Sequence, residues 1–342
     1  MSKYITFGEI MLRLKSPGKT RFMQSPEFEA TFGGGEANAA VGLANFGMDV
    51  SFVSVIPKNA IGDACVRELM KWGVNTDLVV RKGDRLGIYF LEEGSNQRPS
   101  VVIYDRAHSA IAEIKAGDID WANVFNGGSW FHISGITPAI SASAAALSLE
   151  AVKQAKAAGL TVSLDLNYRD KLWKYGKTAP EIMGELAKYT DIAVGNEEDY
   201  QKSLGIKVDI DVEKAEINAN DYERITAEVL DAYPNLKKVA VTLRESHSAD
   251  YNILSAVINN RSKFIISKSY EIHNIVDRVG GGDTFCAGLI YGLANLDNDK
   301  DALDFAAAAL CLKHTISGDF PLISKNEVEK LVAGQTSGRV QR

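Results

Sequence analysis

The chain has 342 residues, 46% of them hydrophobic and 24% charged, with a formal net charge of −6. That length and composition suit a soluble α/β protein with a sizeable core, and the acidic balance, with no Lys/Arg-rich run, excludes an electrostatic nucleic-acid footprint. No apolar run approaches the ~20 residues of a membrane span. The three cysteines, Cys65, Cys286 and Cys311, are scattered and odd in number, which excludes a CxxC zinc site or a disulfide framework. The N-terminus MSKYITFGEIMLRLK has no signal-peptide pattern, so a cytoplasmic location is expected.

The opening KYITFGEIMLRL alternates and is β-branched, predicting one strand that leads into a second. GGGEANAAVGLANFG reads as a glycine-rich turn feeding a helix that stops at Gly47, MDVSFVSVI as a strand, and GDACVRELMKWG as an amphipathic helix ended by Gly73. From about Val79 to Tyr104 the sequence predicts two alternating strands around the polar loop Glu93–Ser100. With part of 10–32 these strands form a small sheet standing off the main one, its lid strands falling in about 10–32 and 79–106. Strand and helix then alternate: WFHISGI, SASAAALSLEAVKQAKAAG, LTVSLDLNY, IMGELAKYT, DIAVGN, NDYERITAEVLDAYP and KKVAVTL. SAVINNRSKFIISKSYEIHN predicts antiparallel strands, and two Ala-rich helices follow near the C-terminus. This βα rhythm predicts a doubly wound, mostly parallel sheet flanked by helices. A single domain over 1–335 is expected, with a polar surface insertion at 205–220 and a flexible tail at 336–342.

The densest chemical signal is Asp277-Arg278-Val279-Gly280-Gly281-Gly282-Asp283-Thr284-Phe285, running into a helix. Gly280, Gly281 and Gly282 let the backbone bring N–H groups close to a ligand, and the positive end of the helix dipole adds to them, making an anion hole. In isolation Asp283 would read as a helix N-cap. Beside an anion hole it reads as the general base that takes a proton from a substrate hydroxyl.

DRVGGGDTFCAG closely resembles the C-terminal signature of the ribokinase-like, or PfkB, family of sugar kinases. GGGEANAAVGLANFG followed by IGDACVRELMKWGVNTD resembles the family's other signature. The resemblance covers essentially residues 4–330 in order. It implies a doubly wound α/β domain with a small β-sheet lid over the sugar, and ATP and Mg²⁺ as cofactors. Arg278 stands where many relatives have Thr, and Gly281 where many have Ala.

By resemblance, Gly33, Gly34 and Gly35, with Glu36 and Asn38, line the sugar site. Asn196 and Asp199 match an Asn-x-x-Glu motif that organises magnesium largely through water; here a shorter acid closes the motif, and a helix start rich in acids is the plain alternative. VTLRESHSADYN falls where relatives carry a loop over the nucleotide. Thr242 and Arg244 remain candidate contacts, with Asn167, Asn196, Gly280 and Gly282, but Glu245–Ser248 replaces the family's Gly-x-x-Gly. His247 alone reads as a surface residue, and Asn274 and Ala308 lie where the adenine pocket is expected.

Tyr89, Tyr104 and Arg106 on the lid, with Asn167 and Arg169 at a core strand end, look like the substrate set of 2-keto-3-deoxygluconate kinases. There the Tyr/Arg set grips the open-chain sugar acid, and a guanidinium suits a carboxylate because its planar fork donates two parallel hydrogen bonds. Asp319 in SGDFP faces the site by resemblance. The expected substrates are a small sugar acid and ATP. A neutral-sugar kinase on the same fold is the alternative, followed by a non-catalytic sugar sensor and a Rossmann dehydrogenase, for which GxGxxG is missing. The lid strands are edges, so a homo-oligomer, a dimer or larger, is expected to cover them.

Overall fold

The structure, a computed structural model, describes residues 2–206 and 219–335. The core of the expected insertion and the tail 336–342 lie outside the described residues.

Nine strands form the main sheet among the described residues. From one edge they run Asp49–Val53, Lys3–Phe7, Gly128–Ser134, Thr161–Asp165, Ile192–Gly195, Lys238–Ser246, Tyr251–Asn259 and Phe264–Ile266, and Tyr270–His273 also pairs with Tyr251–Asn259. The first six are mutually parallel and the last three pair antiparallel. The strands read as apolar runs because both faces are covered. Tyr4 packs with the helices Gly35–Asn45, Gly281–Asn295 and Asp299–Lys313, whereas Ile5 and Phe7 pack with Ala142–Ala157, Ala179–Ala187 and Ala219–Ala232. Successive strand residues thus enter opposite cores, which is the doubly wound arrangement the βα rhythm predicts.

The lid is a separate four-stranded sheet in the order Glu29–Gly33, Met11–Lys15, Gly87–Glu92, Val101–Asp105. Its extent differs from the sequence expectation. Val80–Arg81 pairs with Val55–Ile56 instead, so the lid's second half begins at Gly87 and not near residue 79. Alternation turns Met11, Tyr89, Val102 and Tyr104 toward Val279. The outer strand Val101–Asp105 is an open edge with Val101 and Ile103 exposed, the feature behind the expected oligomer.

Three short helices escaped the sequence reading: Trp121–Phe125, Ile136–Ile140 and Lys325–Val332. Each spans eight residues or fewer, too short for a 3.6-residue period to declare itself. Among the described residues no helix is long and apolar enough to cross a membrane.

Candidate active site

A cleft of about 530 Å³ opens between the lid and the carboxyl ends of the parallel strands, where open α/β sheets bind ligands. The cleft gathers residues from distant parts of the chain, including Asn38, Tyr89, Asn167, Arg169, Thr242, Arg244, Asp283 and Asp319.

Gly280 begins the helix Gly281–Asn295 at φ +81°, a left-handed conformation, and a Cβ there would fall 2.1 Å from the Asp319 carbonyl oxygen. Only glycine fits both conditions. The Gly281 N–H donates to Arg278 O at 3.3 Å and the Thr284 N–H to Gly280 O at 2.9 Å. Between them, the N–H groups of Gly282 and Asp283 have no carbonyl partner among the described residues. The Gly280 N–H likewise has no carbonyl partner among the described residues, so two of the three expected amides, those of Gly280 and Gly282, stay open with that of Asp283, while the Gly281 amide closes the turn.

Asp283 is half-buried in the first turn of this helix. Asn38 Nδ2 donates to its Oδ2 at 2.6 Å, while Asn38 Oδ1 accepts from Gly34 N at 3.2 Å. Asn38, expected on the sugar, thus orients Asp283 and ties both glycine-rich motifs together. Burial and the charge of Asp319 push the Asp283 carboxyl up to about 6, and the Asn38 amide and Arg169 pull against that rise. Asp283 stays mostly ionised at neutral pH and is basic enough to accept a proton.

Acids crowd this floor. Asp165 and Asp199 line the cleft near Asp283. Burial raises the pKa of both, and the charges of Asp283 and Asp199 raise Asp165 further. Glu36 lies under the floor, accepting from Ser134 N and Thr137 Oγ1 at 2.9 and 2.8 Å; burial lifts it to about 8, so it is mostly protonated at neutral pH. Asn196 and Asp199 form a reciprocal capping box on the helix Glu197–Leu204, the plain helix-start geometry, yet both also line the cleft. Asp199 Oδ1 accepts the Tyr168 N–H at 2.8 Å. Asn167 sits at φ +37°, a turn that Asn tolerates, and donates to Asp165 Oδ2 at 3.1 Å.

Arg169 is exposed in the cleft, anchored only to the Tyr168 carbonyl at 2.8 Å. Arg106 differs from expectation. It does not line the cleft; it is buried, and its guanidinium is ion-paired to Glu9, with the Nε contact at 2.8 Å. The cause is Glu9, only 2% exposed, a carboxylate that burial would make costly without a cation and the Ser109 hydroxyl at 2.7 Å. Arg106 still braces the cleft, with its guanidinium 5.4 Å from the centre of the Tyr104 ring. Gly33 also stands back from the cleft: a Cβ there would meet the Asp319 carboxylate at 1.9 Å.

Asp319 lies in the cleft as expected, held by partners the sequence reading missed. Arg13, on the inward face of the strand Met11–Lys15, contacts Asp319 at 2.6 Å and Asp277 at 2.5 Å, and the Tyr89 hydroxyl donates to Asp319 at 2.5 Å. The signal was present, because alternation in Met-Leu-Arg-Leu-Lys puts a cation on an inward face. The expected nucleotide loop is also different: the strand runs on through Glu245 and Ser246, which pair with Ile253 and Asn252. His247 stacks on Tyr251 at 4.5 Å beyond the cleft, and Asn274 and Ala308 are likewise outside its lining.

Solved structures share this fold. A crystal structure of 2-dehydro-3-deoxygluconokinase from Thermotoga maritima superposes with a TM-score of 0.92 at 47% identity, over 98% of this chain and 100% of that one. The 2-dehydro-3-deoxygalactonokinase of Haloferax volcanii is 28% identical, over 98% of each chain. The 5-dehydro-2-deoxygluconokinase of Clostridium perfringens is 30% identical, over 88% of this chain and 84% of its own. The pfkB family carbohydrate kinase model matches residues 1–321. Matched by that family model over residues 1–321 and by a solved structure at 47% identity, the chain belongs to the pfkB family of carbohydrate kinases.

Proposed function

We propose that the chain transfers the γ-phosphoryl group of ATP to a hydroxyl of a keto-deoxy sugar acid, 2-keto-3-deoxygluconate, giving its 6-phosphate. The observation that carries this reading is one cleft holding Asp283, the open Gly282 and Asp283 amides, and the exposed guanidinium of Arg169. The three relatives described above all act, by name, on dehydro-deoxy sugar acids.

Asp283 takes the proton of the C6 hydroxyl as its oxygen attacks the γ-phosphorus. The bond to the bridging oxygen breaks and ADP leaves. Little covalent work falls to the protein, so positioning and charge dominate. The unbonded amides at the helix N-terminus meet the charge on the transferring group. Mg²⁺ suits Asn196, Asp199 and Asp165, whose buried carboxylates repel one another; held largely through water, it would supply charge neutralisation.

Arg169 fits the carboxylate because it is exposed and, although Asp165, Asp199 and Asp283 attract it, no acid is ion-paired with it among the described residues. A coupled ADP-release assay over 2-keto-3-deoxygluconate, 2-keto-3-deoxygalactonate, fructose and ribose tests the reading. Arg169→Ala should raise KM for the sugar acid roughly tenfold, the lower end for a charge-assisted contact because the group is exposed. It should leave any fructose turnover alone. A better wild-type kcat/KM for fructose or ribose would leave only a neutral-sugar kinase.

The pH profile tests the base. Asp283 must be ionised to act, so kcat/KM should fall tenfold per unit as pH drops below about 6. Asn38 bonds the ionised form, so Asn38→Ala should move that limb to higher pH. An unmoved limb would mean that the titrating group is not Asp283.

A further inference from the structure

Arg278 precedes the glycine-rich turn at the start of the helix Gly281–Asn295 by two residues. It lines the cleft and is half-buried. Its Nη2 is fixed by the Ser248 carbonyl and by Asn252 Oδ1 at 3.0 Å, both from the hairpin that ends the strand Lys238–Ser246. Its Nε is buried with no hydrogen-bond partner. No carboxylate is ion-paired with it among the described residues; Asp250, which attracts it, is held by Lys19 at 3.1 Å. Arg244 lies in the same cleft, and burial and the Arg244 charge both push the Arg278 pKa down.

Two guanidiniums that repel each other, neither ion-paired with an acid among the described residues, suit a multiply charged anion. Elsewhere the cleft is acidic, with Asp165, Glu198, Asp199, Asp283 and Asp319 around it. A polyphosphate would be repelled along most of this wall and attracted here. The anchored geometry adds to this, because a guanidinium fixed at one nitrogen has already lost the rotamer freedom that binding would cost.

We propose that Arg278 is a phosphate-binding residue, closing with Arg244 on the polyphosphate of the nucleotide donor. This rests on the ATP-dependent reading above. Arg278 takes the flanking phosphates while the Gly282 and Asp283 amides meet the transferring group. The hairpin after the strand Lys238–Ser246 supplies the anchor through Ser248 and Asn252.

Calorimetric titration of the full chain with ATP, ADP and adenosine tests this, in wild type, Arg278→Gln and Arg278→Lys. Arg278→Gln should weaken ATP and ADP about ten- to a hundredfold, the scale of a charge-assisted contact. Adenosine affinity and the KM for the sugar acid should not move, and Arg278→Lys should fall between. Equal ATP affinity in wild type and Arg278→Gln would overturn the assignment. So would an equal loss for adenosine, which would mark Arg278 as a brace for the hairpin. Wild type that binds no ATP would remove the donor reading itself and this inference with it.

Discussion

Asp283→Asn should give a folded protein that binds sugar acid but turns over ~10²–10⁴-fold more slowly, the usual contribution of a positioned base. In barrier terms that is roughly 3–5 kcal/mol. The substitution keeps shape and leaves an oxygen for the Asn38 amide, now at 2.6 Å from Asp283. What it removes is the capacity to take a proton. Stability should respond in the opposite sense. The folded carboxyl titrates at about 6, above the ordinary carboxylate range, because burial raises it. A group raised in this way supports the fold at low pH, and that support is lost as pH rises through 6. The Asn variant never ionises, so above pH 6 it should melt no lower than wild type. Function would then sit at a site that strains the fold, as active sites commonly do. Steady-state kinetics at pH 7.5 and melting curves at pH 5 and 8 check both halves. Wild-type kcat in a folded Asp283→Asn protein would sink the base assignment.

The legible part of this molecule was the part written in local pattern. The strands Thr161–Asp165 and Lys238–Ser246, the long helices, and the glycine-rich turns before Gly35–Asn45 and Gly281–Asn295 each carry period or composition over many residues. Both glycine-rich motifs therefore landed at the cleft. What stayed hidden depends on contacts between residues far apart in sequence. Arg106 looked free because its acid, Glu9, is 97 residues away and is forced to pair only once the strands Lys3–Phe7 and Gly87–Glu92 bury it. The bond from Asn38 to Asp283 was hidden because the two lie 245 residues apart. The lid boundary was misjudged because Val80–Arg81 alternates too weakly to say which of two sheets it joins. Asp165 could have been found: an acid inside the apolar run LTVSLDLNY marks a strand end facing something polar.

The residue with the largest expected effect on stability is Arg13, which no motif contains. It is 1% exposed and bridges Asp277 and Asp319, each with a side chain 3% exposed. Asp277 is further fixed by the Val279 and Gly318 N–H groups, both at 3.0 Å, so the Arg13 bridge joins the lid to the segment entering the anion hole. Buried pairs of this kind add little net stability over apolar residues of the same shape, but removing one partner strands a charge. Arg13→Met should therefore cost about 3–5 kcal/mol. Lys313 is buried nearby and offsets part of the acid charge, but its ammonium is bonded to the Ile316 carbonyl at 3.1 Å and does not bridge to the lid. The loss should shrink as pH falls. Burial raises Asp319 while Arg13 and the Tyr89 hydroxyl hold it down, so without Arg13 its folded pKa climbs further. A raised carboxyl destabilises the fold as pH rises through that value, which puts the widest gap between variant and wild type above neutrality and the narrowest in acid. Adding Asp277→Asn and Asp319→Asn to Arg13→Met should recover much of the stability by removing the stranded charges. Turnover should stay low, because the lid has lost its tie to the floor of the site. Urea unfolding of the three proteins at pH 5 and 8 measures this. A triple variant no more stable than Arg13→Met, or a gap that does not vary with pH, would show that Arg13 acts through packing and not through the charges it bridges.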